Sequence, residues 1–133
     1  MGTTLSSRSR SVGRWIFGIL FILAGIGHFA RPEMYMKIMP DYLPYHRELV
    51  LISGAFESAL GLMLLIPTTR RLAAWGLIAL LIAIFPANLD MFLHPEKSGL
   101  SPVALAIRLP IQGLLILWAW AYTGPERPTD DRP

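Results

Sequence analysis

Four stretches of the chain are apolar at nearly every position, without the stripe or alternation of a soluble domain. They run over roughly 12–30, 48–66, 72–93 and 102–123. A membrane-crossing helix needs about 20 predominantly apolar residues. Each stretch has that length, and none keeps the polar face that a soluble helical bundle turns to water. The pattern predicts an all-α fold, a bundle of four transmembrane helices within residues 12–123. Residues 1–11, polar and basic, and residues 124–133, "GPERPTDDRP", read as disordered tails.

Composition narrows the function classes. Of 133 residues, 53% are hydrophobic and 16% charged, against about a quarter charged in ordinary soluble domains. The absence of cysteine excludes a thiol–disulfide relay, a cysteine-held iron–sulfur cluster and a structural disulfide. A basic segment precedes the first stretch, as in a signal peptide. Its apolar run is long, however, and "GHFA" is a poor cleavage site, so a retained helix is expected.

The basic residues set a topology. Arg8, Arg10, Arg14, Arg70, Arg71, Arg127 and Arg132 fall on one side of the four spans. Arg31, Lys37, Arg47 and Lys97 fall on the other, and Arg108 lies inside the last span. Seven against four places both termini in the cytoplasm, the N-in/C-in arrangement of a bacterial inner-membrane protein. Trp15, Trp75, Trp118 and Trp120 lie in the cytoplasmic halves, and Tyr35, Tyr42 and Tyr45 in the first external loop. A pI near 9.7 therefore reflects topology and not a nucleic-acid patch.

The spans are not wholly apolar. At 1.5 Å per residue, Glu57 lies roughly 13 Å from the outer end and Arg108 roughly 9 Å. Asn88 and Asp90 lie about 5–8 Å down, Gln112 about 15 Å, and His28 near the outer mouth. Such groups are costly in a bilayer and are expected to face one another. Ser53, Glu57 and Gly61 share one helical face, and Ala104, Arg108 and Gln112 another. Matching depths predict a Glu57–Arg108 ion pair with Asp90 as a second acceptor. Asn88 and Asp90 are about 200° apart on an ideal helix, so sharing a neighbour requires a break, which Pro86 can supply by freeing the carbonyl of Ile82. The pair reads equally as a register lock or as a functional site.

No His, Cys and carboxylate set has metal-ligand spacing, and no nucleophile elbow, P-loop or dinucleotide fingerprint occurs. The spacing of His28 and His94 specifies no haem site, and His94 is placed to pair with Asp90 at i, i+4. "RPEMYMKIMPDYLPYHREL" predicts a short interfacial helix starting at Pro32. It caps the bundle mouth, or forms a lid in which Tyr35, Met39 and Tyr42 cover a lipophilic pocket floored by Glu57 and Arg108. "GLMLLI" (61–66) and "GLLILW" (113–118) hint at a duplicated hairpin.

Together, "GIGHFARPEMYMKIMPDYLP" (25–44), "ISGAFESALGLMLLIPTTRRLAAWGL" (52–77) and "FPANLDM" (85–91) resemble the DoxX-like family of small membrane proteins. The resemblance spans about residues 12–123 and implies a four-helix integral membrane protein. Some members of that family are small subunits of thiosulfate:quinone oxidoreductase, and others associate with redox proteins at the membrane. It supplies no catalytic set, so Glu57, Arg108 and the "FPAN" residues are candidates on physical grounds alone. The expected function is a non-catalytic membrane subunit or anchor, with an oxidoreductase or a second copy of the chain as partner. The alternative is a quinone- or lipophile-binding redox component. Transport through the polar cluster is disfavoured by the dry cytoplasmic half.

Overall fold

The computed structural model describes residues 7–124, and the described residues are helices joined by turns. The order is α1 (Ser7–Ala30), α2 (Pro32–Met36), α3 (His46–Leu65), α4 (Arg70–Leu93), a 3-10 turn at Pro95–Lys97, and α5 (Pro102–Trp120). Four of these helices are long and apolar enough to cross a membrane. α1 starts at Ser7, so Ser7–Ser11, expected in a tail, are helical. The remaining tail residues, 1–6 and 125–133, lie outside the described residues.

Local signals explain the helix ends. Ser101 caps α5 by accepting from the Ala104 N–H at 3.2 Å, and Pro102 takes the first helical position, where no N–H is missed. Gly99, in the left-handed region at φ +73°, turns the chain just before it. Pro86 does not break α4, which runs unbroken to Leu93. Asn88 and Asp90 consequently keep opposite faces and take different partners.

The tightest packing joins α1 and α3. Gly18 and Gly25 on α1 meet Gly61 and Gly54 on α3, each pair seven residues apart, so the helices cross antiparallel with backbones in contact. A Cβ on Gly18 would stand 2.8 Å from the Gly61 carbonyl, and one on Gly54 would stand 2.9 Å from the Gly25 carbonyl. Ser58 adds an interhelical hydrogen bond, its hydroxyl donating to the Ile22 carbonyl at 3.1 Å. α4 packs on α3 and α5 on α4, while α3 and α5 form no packed pair of their own.

The main apolar cluster sits in one half of the bundle, the half that holds the ends of α1 and α5 nearest the termini. Phe17, Phe21, Leu64, Ala73, Ala74, Leu77, Leu81, Ala119 and Tyr122 make it up. Phe17 stacks on Phe21 with centroids 4.8 Å apart and meets Trp118 edge-on at 4.7 Å. Two arginines close this end. Arg10 donates to the Ala121 carbonyl and buried Arg70 donates to the Gly124 carbonyl at 2.8 Å, placing cations on the carbonyl-rich end of α5. Read in the sequence as topology signals, they are also caps. The suggested hairpin repeat has no packing counterpart, since Gly61 touches α1 whereas a Cβ on Gly113 would meet nothing within 4 Å.

Candidate functional site

In the opposite half, beneath the loops, the bundle opens into a cavity of about 720 Å³. Its size falls within the roughly 300–1,000 Å³ typical of small-molecule sites. α1, α3, α4, α5 and both loop segments contribute walls. Ile84, Ala87 and Met91 of α4 form an apolar side, and Met34, Ile38 and Met39 form an apolar roof. Glu57 and Arg108 both line it.

These two residues are not an ion pair. Glu57 pairs with His28, whose Nε2 lies 3.0 Å from Oε2 of Glu57. Arg108 makes no ion pair with any described carboxylate. The cause is helix order. Depth alone suggested Arg108, but the glycine contacts draw α1 against α3, and His28 sits one turn beyond Gly25 on the face that meets Glu57. α5 packs on α4 instead.

The hydrogen bonds of His28 constrain its protons. Nδ1 lies 2.9 Å from the Val50 carbonyl and 3.1 Å from Ser53 Oγ. A carbonyl only accepts, so Nδ1 carries a hydrogen. Oε2 is sealed from solvent and has no aligned hydrogen bond, so the contact is electrostatic more than directional. The Tyr35 ring covers the imidazole with centroids 4.1 Å apart.

The other polar residues form two separate groups. Asn88 donates through Nδ2 to Oε1 of Gln112, and Gln112 donates through Nε2 to the Leu81 carbonyl. That carbonyl is the neighbour of the Ile82 carbonyl expected to be freed by Pro86. Asp90 is not an acceptor for Arg108; it binds Lys97 at 3.1 Å, with His94 Nδ1 3.3 Å from its other oxygen. Lys97 also reaches Asp41 at 3.3 Å, tying the first loop to the second across the cavity mouth. The hydrogen bond that Lys97 donates to Asp90, then the one it donates to Asp41, holds its ammonium above the ordinary lysine range despite the opposing effect of burial.

Of the expected lid, Tyr35 and Met39 line the cavity. Tyr42 does not, being 68% exposed. The expected cluster of Glu57, Arg108, Asp90, Asn88, Gln112 and His28 is thus three groups and one separate cation. The sequence reading missed Lys97 as a hub and Lys37 as a lining residue, and both carry only the weak signal of a charge near a span end. It also missed His46, whose Nε2 lies 3.1 Å from the Pro40 carbonyl and pins the loop. Among the described residues no group of His, Cys, Asp and Glu is arranged to hold a metal ion.

No curated protein and no solved structure is detectably similar to the chain. Residues 17–123, from the stacked Phe17 to the end of the bundle, match one family, so the chain belongs to the family of the domain of unknown function DUF8561.

Proposed function

We propose that this protein binds a lipophilic small molecule in the loop-end cavity, within a bundle that crosses the bacterial inner membrane with both termini in the cytoplasm. The single observation that carries this reading is the cavity itself. Apolar walls from four helices and the loops enclose a few fixed polar groups, in a bundle whose other half is solidly packed. The arginine asymmetry supports the orientation, and the loop-end cavity then faces outward, with α2 at the membrane surface.

A quinone fits such a slot, since it needs an apolar channel and one or two polar groups. The DoxX-like resemblance adds a context in which the protein is a non-catalytic subunit or anchor and an oxidoreductase partner performs the chemistry. A homo-oligomer is the other form of that reading. The large apolar side chains on the outer faces, such as Ile19, Leu23, Leu114 and Leu117, suit lipid or a partner helix equally.

The test is gentle extraction of the full chain from native membranes, with mass spectrometry of retained lipophiles and proteins. Ala87→Phe, which fills one cavity wall, is the control. Wild-type protein is expected to retain a lipophile that the control loses. Equal retention by both overturns the pocket reading, and a stoichiometric protein partner with no lipophile moves the function to the anchor.

A further inference from the structure

We infer that the cavity ligand carries an anionic head group, a carboxylate or phosphate on an apolar body, and that Arg108 binds that head. The inference rests on the lipophile-binding reading and adds the charge of the ligand to it.

The charged side chains that line the cavity do not balance. Of the described carboxylates Glu57 alone lines it, and it lies against the His28 imidazole. Three cations line the same space: Lys37, Lys97 and Arg108. Lys97 already faces two carboxylates outside the lining, Asp90 and Asp41. Lys37 and Arg108 have no ion-pair partner among the described residues. Among the lining residues themselves three cations face one carboxylate, and two of the three cations are without an ion-pair partner among the described residues.

Arg108 is the informative one. It lies roughly 9 Å below the start of α5, at a depth where an uncompensated charge is costly. A guanidinium stays protonated in any protein setting, so it cannot escape by neutralising. Its planar fork matches the two oxygens of a carboxylate or phosphate. Lys37 lies at the roof beside Met34, Ile38 and Met39, where it adds a second positive charge near the mouth. The competing account is that Arg108 snorkels to phosphates of the surrounding bilayer. That account gives no head-group preference to a ligand inside the cavity.

The experiment uses the full chain in neutral-lipid nanodiscs and measures binding of palmitate and of methyl palmitate, which share a tail and differ in charge. Palmitate is expected to bind roughly 10- to 100-fold tighter, the range of a charge-assisted hydrogen bond. Arg108→Gln should remove the preference, and Arg108→Lys should keep most of it. Phosphatidylglycerol is the competitor that separates sources. Displacement of palmitate by it assigns the head group to a bilayer lipid, and its failure to displace assigns a free single-chain acid. Equal binding of palmitate and methyl palmitate by the wild type overturns the inference and leaves the lipophile reading standing. A preference that survives in Arg108→Gln overturns the assignment to Arg108. Binding of neither probe overturns the inference, and the wild-type comparison decides even if a variant does not fold.

Discussion

His28 and Glu57 face each other across the α1–α3 contact, with Nε2 and Oε2 3.0 Å apart and both side chains shielded from solvent. Removing one partner from such a pair strands the other, at a cost of about 3–5 kcal/mol. His28→Leu should therefore be strongly destabilising alone and much less so in a Glu57→Leu background. Steric-trap unfolding in mixed micelles reads this as a coupling energy above about 1 kcal/mol. Arg108→Gln and Glu57→Gln should add within about 0.5 kcal/mol, because these residues share a cavity and not a contact. Strong coupling between Arg108 and Glu57 would contradict the helix order.

The glycines divide into those that permit an approach and those that do not. A Cβ on Gly25 would run into the Gly54 carbonyl and Ser58, which are backbone and hydrogen-bonded groups that cannot easily give way. Gly25→Ala should cost about 1–3 kcal/mol, as overpacking does. Gly113, in the middle of α5, faces open space. Gly113→Ala should gain about 0.5–1 kcal/mol from reduced backbone entropy alone. Opposite signs for the same chemical change, read from thermal unfolding in one detergent, are the expected result.

That contrast shows what could be read from the sequence and what could not. Span existence follows from apolar run length, a property of one segment at a time, and all four spans are long helices. Depth is also local, which is why Glu57, Asn88, Arg108 and Gln112 all fall in or beside the loop-end half. Partner choice is not local. It depends on which helix lies against which, and that is set by Gly18, Gly25, Gly54 and Gly61 acting together. Their matched seven-residue spacing was present in the sequence, but only two helices considered jointly give it meaning. Arg108 was assigned to Glu57 for lack of that pairing. Asp90 went to Lys97 because a 3-10 turn folds the second loop back over α4, which no periodicity predicts.

Gln112 joins α5 to α4 by accepting from Asn88 and donating to the Leu81 carbonyl. Gln112 is buried, 3% exposed, whereas Asn88 also borders the cavity. Interhelical hydrogen bonds within membranes contribute modestly, about 0.6 kcal/mol on average and up to about 1.7. Gln112→Leu should cost about 1 kcal/mol, and adding Asn88→Leu should cost little more, because the amide left unpaired is removed with it. A second mutation that costs as much as the first would show that Asn88 has another role, facing the cavity it lines.

Lys97 links Asp41 to Asp90 and so ties the first loop over the cavity mouth. The ammonium is held above the ordinary lysine value of 10.5, chiefly by the Asp90 hydrogen bond. A cation raised in the folded state stabilises fully below its unfolded value and loses that effect as pH rises through the folded one. Loop closure should thus be insensitive to Lys97 titration through neutral and mildly alkaline pH and should loosen only above about 10.5. His94 also faces Asp90, but the second carboxylate oxygen, not the one bound to Lys97, receives it. Lys97→Met removes the link at any pH, so the amides of residues 37–44 should exchange faster at neutral pH in that variant than in the wild type. Hydrogen exchange by mass spectrometry reads both effects, and equal protection of that segment in the two proteins would show that the His46–Pro40 contact holds the loop without Lys97.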